Sequence, residues 1–378
     1  MLEWLCLHVQ EIFLIAFGFT ALVLLLYYFF LFAKFSFHTP KKIKNAPHPP
    51  VSIVISSRNE AHHLIKTLPH ILSQQYLEYE VVVVNDNSTD ETEQVIRDFM
   101  VQYPHLKFVN LTSSVTNIQG KKFPLSIGIK SASHEVVLLT DADCIPSSPY
   151  WLLNMAKHFR DKTKIVLGYS TYEKKNSLMN LFVHFDNLQT AIQYFSYTLA
   201  GIPYMGIGRN LAYTRSLFYE KKGFASHNHI HYGDDEIFIN RSATAHNCDI
   251  EYFKEAFTVT RYKSGFGSWF RDKLIHAGTK KYFKAKHKFL LNTFSFFTFL
   301  FYLFFILTLV FVYKNMIFLL CALGIFLVKT ALHYVIFGFS ARKLEERRVI
   351  PYILPFDIFS ALISPFIFLS ALFSSYKK

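Results

Sequence analysis

The sequence predicts an α/β domain that is preceded by one membrane-spanning helix and followed by about three more. Two observations support this fold class. Apolar residues make up 51% of the 378 residues, and they are concentrated in long runs near both ends of the chain. Between these runs, short apolar segments typical of buried strands alternate with helix-like segments from residue 51 onward. Such alternation predicts a mostly parallel sheet with right-handed crossovers.

The first apolar run, residues 12–33, contains no charged side chain. As a helix it would be ~33 Å long, close to the hydrocarbon thickness of a bilayer. Because it is too long for a signal-peptide core and no basic residue precedes it, we interpret it as a retained anchor. Three further runs are predicted to span the membrane, at 294–313, 316–338 and 353–373. The last contains Pro355 and Pro365, which favour a kinked or partly re-entrant segment.

Basic residues beside these runs account for much of the net charge of +13. The clusters are Lys34, Lys41, Lys42 and Lys44; Lys280, Lys281, Lys284, Lys286 and Lys288; and Arg342, Lys343, Arg347 and Arg348. The positive-inside rule then predicts a multi-pass protein of the cytoplasmic (inner) membrane with a cytoplasmic central domain. The clusters also suit anionic membrane lipids. Nucleic-acid binding is not expected, because it needs basic and aromatic residues interleaved on the soluble surface.

The predicted order is an extracytoplasmic N-terminus, an anchor, a basic linker, a cytoplasmic domain and three transmembrane helices. Their bounds are 1–11, 12–33, 34–50, 51–288, 294–313, 316–338 and 353–373. The four cysteines show no CxxC spacing, which argues against a structural zinc site and suits reduced thiols.

Four runs within the central domain are predicted to be buried strands, because they are apolar and rich in β-branched residues. They are 51–57, 79–85, 107–111 and 134–140. Helices are predicted at 60–75 and 121–132, and Ser88 with Glu91 predicts a capping box that opens another helix between them. Later elements are less regular: a strand near 164–170 and helix-like stretches near 177–199 and 234–246.

Polar, mainly acidic side chains follow three of the predicted strands. They are Arg58 and Glu60 after the first, Asp86 after the second, and Asp141 and Asp143 after the fourth. Ligands of open α/β sheets bind at the carboxyl ends of strands, so these residues predict a binding site.

Asp141 and Asp143 point the same way in an extended chain and could share one cation. Carboxylate oxygens suit Mg²⁺ or Mn²⁺ bound together with substrate phosphates. The alternative is a solvated turn. Asp86 and Glu60 could accept hydrogen bonds from a base or a ribose, or could serve a turn or a helix cap. Lys121 and Lys122 could reach a diphosphate, or be ordinary surface lysines.

Asp234 and Asp235, in the sequence Gly-Asp-Asp-Glu, form the last acidic cluster. One of them could be a general base that removes a hydroxyl proton. The alternative is a helix N-terminus, where acidic residues are favoured. Nearby, His227, His229 and His231 could ligate a metal together, one of them could complete a metal shell, or they could lie in a polar loop.

Six motifs in this order resemble the membrane-bound family-2 glycosyltransferases, which have the GT-A fold. The motifs are VSIVISSRNE, VVVVNDNSTDET, GKKFPLSIGIKSA, VVLLTDADCIP, GIGRNLAYTRSLF and GDDEIF. The resemblance covers about 50–285 together with the pattern of spans. It implies inverting, metal-dependent transfer of a sugar from a nucleotide-diphospho-sugar, with uridine the expected base. Guanosine and thymidine donors use the same scaffold.

The resemblance also assigns roles to residues at matching positions. Glu60 and Asp86 would contact the nucleoside, and Asp143 with Asp141 would hold the metal and diphosphate. Asp235, with Asp234 as the alternative, would be the general base. The other expected contacts of the nucleotide-sugar are Arg58, Lys122, Arg209, Asn210, Arg271 and Lys273.

The chain departs from the family pattern in two places. The first motif has Ser-Ser-Arg before Asn59 where proline is common, and the Gln-x-x-Arg-Trp box of processive synthases is not intact at 269–276. We therefore expect transfer to a lipid-linked or polysaccharide acceptor by addition of one or a few sugars. The alternatives are a processive polysaccharide synthase and a non-catalytic membrane protein that binds nucleotide-sugars.

Ionisable residues also lie within the predicted spans: Lys329, His333 and Asp357. Such groups are costly in a membrane and indicate a role. The sequence leaves open a Lys329–Asp357 pair and a basic group that receives a lipid phosphate.

Overall fold

A computed structural model describes residues 2–40, 46, 48–111, 120–228, 230, 232–261 and 265–373. The strands in these residues are β1 Val51–Ser57, β2 Tyr79–Asp86, β3 Leu106–Leu111, β4 Val136–Leu139, β5 Ile145–Pro146, β6 Ile165–Leu167, β7 Ser170–Tyr172, β8 Leu211–Thr214, β9 Cys248–Ile250 and β10 Thr258–Thr260.

The α-helices are α1 Leu2–Tyr27, α2 Ala33–Ser36, α3 Ala61–Leu72, α4 Thr92–Gln102, α5 Lys122–Ser131, α6 Trp151–Ala156, α7 Leu178–Leu199, α8 Arg215–Glu220, α9 Asp234–Ser242, α10 Phe266–Thr279, α11 Ala285–Val312, α12 Met316–Lys343 and α13 Ile353–Phe373. A π-helix, Tyr28–Phe32, joins α1 to α2. Short 3₁₀ helices lie at Gly208–Asn210, Ala225–His227, Lys254–Ala256, Lys280–Tyr282 and Arg347–Tyr352.

The chain forms two compact units. The sheet unit comprises residues 39–180 and 197–264, and the helical unit comprises 1–38, 181–196 and 265–377. The middle of α7 and the segment 265–288 therefore group with the apolar helices, whereas the sequence pattern put them in the central domain. The apolar stretch Leu-Phe-Val-His-Phe of α7 is consistent with this grouping.

The sheet unit is built on a seven-stranded sheet in the order β3-β2-β1-β4-β8-β6-β9. The strands β3, β2, β1 and β4 are parallel, and Val54 pairs with both Val82 and Leu139. β8 runs antiparallel to its neighbours β4 and β6, so the sheet is mixed. All seven residues of β1 are buried, as expected for a central parallel strand covered on both faces. A second sheet has the order β5-β10-β7.

The predicted strands and helices of the first half are confirmed, with small changes at their ends. The predicted strand near 164–170 is instead divided between β6 and β7, which belong to different sheets. The predicted capping box is wrong. The Ser88 hydroxyl accepts a hydrogen bond from the Asn59 N–H at 2.9 Å, and α4 begins only at Thr92. The serine is used to connect two loops instead of capping a helix.

Among the described residues, four helices of the helical unit are long and apolar enough to cross a membrane, and each overlaps one of the predicted runs over nearly its whole length. They extend over His8–Ser36, Ala285–Val312, Met316–Lys343 and Arg347–Ala371. Aromatic contacts join them, such as Phe17 with Phe301 at 5.0 Å between ring centroids. The Ser36 and Ser340 hydroxyls also bond across helices at 2.9 Å. α13 remains helical through Pro365.

A buried ion pair lies within the helical unit. The Lys329 ammonium is 2.9 Å from Asp357 Oδ2, and the pair is 0% and 2% exposed at its side chains. Asp357 Oδ2 also accepts from the Tyr302 hydroxyl at 2.5 Å and lies 3.4 Å from His333 Nδ1. The predicted Lys329–Asp357 pair is therefore confirmed. Because its ammonium is buried and neutralised, Lys329 is not presented to a lipid phosphate in this structure.

Candidate active site

The loops that follow β1 and β2 are fastened to each other. Asn59 and Asn87 adopt left-handed conformations with φ of 56° and 51°, which asparagine tolerates better than most residues. Asn59 Oδ1 accepts a hydrogen bond from the Thr89 N–H at 2.8 Å. This arrangement holds Arg58 Nη1 4.0 Å from Asp86 Oδ2, and both side chains keep access to solvent. The structure thus brings two predicted nucleotide contacts together.

Glu60 lies at the start of α3, where its N–H donates to the Thr92 hydroxyl at 2.9 Å. Its carboxylate contacts His63 Nδ1 at 2.5 Å, and about a third of each side chain is exposed. His63 was not singled out in the sequence, although a histidine three residues after a helix-opening glutamate lies within reach of it.

Asp141 and Asp143 follow β4 at the carboxyl edge of the sheet. Their ligand atoms and the Cys144 sulfur lie within 4.8 Å of one another. Lys121 Nζ is 2.7 Å from Asp141 Oδ1. Burial alone would raise the pKa of Asp141, but the charges of Lys121 and Arg209 outweigh it and lower that pKa. Asp141 is therefore held as a carboxylate.

Asp143 is oriented by a residue far away in the sequence. The Thr260 hydroxyl, on β10, donates to Asp143 Oδ2 at 2.7 Å. The thiol of Cys144 beside it is buried, and burial together with the Asp141 and Asp143 charges raises its pKa. A neutral thiol leaves the two carboxylates as the metal ligands of this cluster in the described residues. This donor set fits Mg²⁺ or Mn²⁺ and not a soft, thiolate-binding metal.

Asp235 occupies the first turn of α9, which begins at Asp234 directly after Gly233 in the left-handed conformation. Its Oδ2 accepts a hydrogen bond from the Gly208 N–H at 2.7 Å. Its Oδ1 is buried and has no hydrogen-bond partner in the described residues. A Cβ atom at position 208 would collide with this carboxylate, so the close approach requires glycine. Burial, then the charges of Asp234 and Asp141, raise the pKa of Asp235.

Asp234 precedes Asp235 in the same helical turn. Burial raises its pKa, and the Lys121 charge opposes this effect. The Lys121 ammonium keeps a raised pKa in turn, because Asp141 outweighs the cost of burial, with smaller contributions from Asp234 and Asp235. The two acidic clusters predicted from the sequence therefore share one electrostatic environment around Lys121.

Two of the expected nucleotide-sugar contacts have other roles in the structure. Lys122 is buried, and its ammonium donates to the backbone carbonyls of His227, Ile230 and Tyr232. Asn210 is also buried. Its amide donates to the carbonyls of Tyr169 and Ala256 at 2.8 and 2.7 Å, and its oxygen accepts from Trp151 Nε1. Their polar groups are used within the protein, so the structure favours Lys121 over Lys122 as a ligand contact.

Arg209 lies near Asp141 and Asp143. Its guanidinium lies over the Tyr172 ring, 4.7 Å from the centroid. Its carbonyl accepts hydrogen bonds from the Thr140 and Thr258 hydroxyls at 3.1 and 3.0 Å. Tyr172 had no signal in the sequence.

Arg271 and Lys273 belong to α10 of the helical unit. There Lys273 Nζ is 2.6 Å from Asp186 Oδ1, and Asp186 Oδ2 accepts from Trp269 Nε1 at 3.2 Å. Arg271 is exposed. The two residues belong to a different unit from Asp141 and Asp143, and their role stays a prediction. His229 and His231 lie outside the described residues, so the three-histidine hypothesis does too.

Comparisons with known proteins show what the part of the chain before Asp234 is similar to. Residues 52–229 match the model of Glycosyl transferase family 2. The matched residues are a little under half of the chain, and this part of the chain is similar to family 2 glycosyltransferases. The mannosyltransferase PcManGT from Pyrobaculum calidifontis, solved in complex with GDP-Man and Mn²⁺, aligns with a TM-score of 0.59 at 19% identity. The alignment covers 97% of this chain and 99% of that one, and it confirms the predicted GT-A fold.

Two curated relatives are similar in sequence. The poly-β-1,6-N-acetyl-D-glucosamine synthase of Staphylococcus epidermidis is 31% identical over 157 residues, which are 41% of this chain and 37% of the synthase. The probable glycosyltransferase YdaM of Bacillus subtilis is 26% identical over 318 residues, 75% of this chain and 71% of that protein. The chain thus matches little more than a third of the synthase.

Proposed function

We propose that this protein transfers a sugar from a nucleotide-diphospho-sugar to a lipid-linked or polysaccharide acceptor, with inversion and with Asp235 as general base. The observation that carries the proposal is the Asp235 carboxylate. The Gly208 N–H fixes one of its oxygens, and the other is buried without a partner in the described residues. A carboxylate held in this way, with a raised pKa, is suited to accept a proton near neutral pH.

The donor would bind at the carboxyl edge of the sheet. Arg58, Glu60 and Asp86 would contact the nucleoside, and Lys121 and Arg209 would face the diphosphate. Asp141 and Asp143 would hold Mg²⁺ or Mn²⁺, which when bound supplies charge neutralisation for the leaving diphosphate. We expect uridine to be the base of the donor, and this expectation rests on the resemblance in sequence motifs.

In the chemical step, the acceptor hydroxyl oxygen bonds to the anomeric carbon while the bond to the diphosphate oxygen breaks. The hydroxyl proton passes to Asp235, and the nucleoside diphosphate leaves with the electron pair of the broken bond. Attack from the face opposite the leaving group inverts the anomeric configuration. The Lys121 ammonium, 2.7 Å from Asp141 in the free protein, would then help to neutralise the diphosphate.

We also propose that the protein is integral to the cytoplasmic membrane with its transferase domain on the cytoplasmic side. The candidate spans and the basic residues that adjoin them support this orientation. Cysteine accessibility in intact cells tests it: a probe that does not cross the membrane should label a cysteine placed at exposed Asp98 only after the cells are opened.

The first experiment is nucleotide release and sugar transfer by the purified protein across a panel of nucleotide-sugars. It is run with Mn²⁺, with Mg²⁺, with EDTA and with membrane lipid extract. We expect metal-dependent release from one donor, which is lost in Asp143→Asn and Asp235→Asn. A matched control is Asp161→Asn, since Asp161 is exposed and its φ of 51° suits asparagine. If no donor of the panel binds or reacts in any arm, the proposal is overturned.

A processive synthase is the second candidate, and the match to the poly-N-acetylglucosamine synthase favours it. The interrupted box at 269–276 favours the addition of few sugars instead. Product length decides between them. Short glycolipids in a time course support the first candidate, and long polymer at the earliest times supports the second.

A further inference from the structure

Adjacent lysines at the start of α5 contact two different parts of the candidate site. Lys121 pairs with Asp141 at the carboxyl end of β4. Lys122 turns into the protein, where its ammonium is bonded to three carbonyls of the residues before Asp234. The family resemblance gave no reason for a buried lysine here.

The helix that carries these lysines is fixed to the sheet. Gly128 of α5 lies so close to β1 and β2 that an added Cβ would be 2.5 Å from Val54 Cγ1 and 2.9 Å from Val84 Cγ2. Such an approach leaves no room for the helix to rotate or slide. The backbone of α5 therefore fixes the positions from which Lys121 and Lys122 make their contacts.

Lys122 is 1% exposed. A buried ammonium is costly unless its three N–H donors find partners. Here there are three: the carbonyls of His227 and Tyr232 at 3.2 and 3.0 Å, and that of Ile230. Among the described residues, the ammonium donates only to backbone carbonyls, and three carbonyls converge on it.

The last of these carbonyls belongs to Tyr232, which directly precedes Gly233. Gly233 has a φ of 78° and starts the helix whose first two residues are Asp234 and Asp235. Holding the Tyr232 carbonyl therefore holds the backbone from which the proposed base extends. Both carboxylates also act electrostatically on Lys122, which places its charge near them.

We infer that Lys122 is a positioning residue for Asp235, and that its ammonium sets the backbone before Gly233 so that the carboxylate meets the Gly208 N–H. The inference rests on the proposed function. It separates two neighbouring lysines by role: Lys121 acts at the donor diphosphate, and Lys122 acts on the base without touching substrate.

The test compares Lys122→Met with Lys130→Met, since Lys130 is an exposed lysine on the same helix. For Lys122→Met, we expect kcat of transfer to fall about tenfold or more, as for loss of a hydrogen-bonded charge. The KM for the donor and its calorimetric Kd should stay within about twofold of wild type, because Lys121, Asp141 and Asp143 remain. Lys130→Met should match wild type in all three.

A second variant guards against simple misfolding. In Lys122→Gly, added ammonium or a short alkylammonium would fill the space between the three carbonyls and restore part of kcat, whereas sodium would not. Unchanged kcat in Lys122→Met, or weakened donor binding equal to the loss in kcat, would overturn the inference. Loss of kcat that no amine restores would overturn it as well, because the lysine would then be a folding element only.

Failure of the proposed function gives a different result. In that case the wild-type protein would neither bind nor turn over any nucleotide-sugar, and the Lys122 variants would not be needed to show it.

Discussion

Two aspartate–lysine pairs, one in each unit, have similar geometry and different surroundings. Lys121 and Asp141 approach to 2.7 Å with side chains 53% and 29% exposed. Lys329 and Asp357 approach to 2.9 Å with side chains 0% and 2% exposed. The first pair has open sides at the carboxyl edge of a sheet. The second is enclosed by Tyr28, Phe301 and Tyr302, whose rings lie 4.9 to 5.9 Å from the ammonium.

We infer from this difference that a lysine–aspartate pair suits ligand binding when it is exposed and helix assembly when it is buried. An exposed pair adds little to stability, and its members can exchange partners with a ligand. A buried pair costs much to separate, because removal of one member leaves a charge without a partner in an apolar surrounding. We therefore expect substitutions in the first pair to change activity and substitutions in the second to change folding.

The largest effect is expected at the buried pair. Lys329→Met removes the ammonium from the buried Asp357 carboxylate, which keeps the Tyr302 hydroxyl and His333 Nδ1 beside it. The change should destabilise the protein by about 3–5 kcal/mol. The readout is the thermal midpoint of the detergent-solubilised protein. The double variant Lys329→Met/Asp357→Asn should recover most of the loss, because it leaves no net charge. A single variant as stable as wild type would show that the pair does not hold these helices together.

Substitution in the exposed pair, Lys121 and Asp141, should change activity and leave stability unchanged. Lys121→Met should lower kcat/KM for transfer about ten- to hundredfold, since a charged hydrogen bond to the diphosphate is lost, at about 1.5–3 kcal/mol. Its thermal midpoint should match that of wild type. If Lys121→Met instead unfolds early and transfers normally once folded, the comparison between the two pairs is wrong.

A smaller effect is expected at Thr260, which orients Asp143. Thr260→Val keeps the shape and removes one hydrogen bond, so the Kd for Mn²⁺ should rise about fivefold, or about 1 kcal/mol. Electron paramagnetic resonance of free Mn²⁺ measures this without turnover. Thr260→Ser should bind as wild type, and equal binding by the valine variant would exclude an orienting role.

A third cluster of charged side chains is intermediate in exposure between the two pairs. Its contribution to the stability of the protein should depend modestly on pH. His158 bonds to Asp249 at 2.8 Å and to Glu251 at 3.0 Å, and Lys157 bonds to Glu251 at 2.6 Å. Burial lowers the pKa of His158, but the two carboxylates outweigh it and raise that pKa. The histidine lowers both carboxyl pKa values against the effect of burial.

The stabilisation by His158 is therefore complete below its unfolded pKa of about 6.5 and is lost as pH rises through the higher folded pKa. The carboxylates contribute fully above about pH 4.3 and lose this contribution at lower pH. The difference in thermal midpoint between wild type and His158→Gln should be largest near pH 6 and should shrink toward pH 9. A constant difference would show that the histidine is not charged in the fold.

The sequence predicted β1, β2 and β4 because uninterrupted apolar runs mark central parallel strands. It did not predict β8 or β10, each of only four or three residues, whose pairing depends on contacts distant in the chain. The position of Asp141, Asp143 and Asp235 followed from their motifs. The different contacts of Lys121 and Lys122 did not, because consecutive residues at a helix start point in directions about 100° apart. Thr260 was missed because it lies 117 residues from Asp143.

Gly208 has a consequence for how this gene can vary. Any amino-acid change from a glycine codon adds at least one carbon, and here that carbon would collide with the carboxylate of Asp235. No single-nucleotide change that replaces this glycine should be neutral for activity. In a saturation library selected for activity, position 208 should therefore tolerate no substitution. Revertants of a Gly208→Ala strain should restore glycine or shift the backbone before Asp234, and their locations would map the parts of the chain that set the proton acceptor in place.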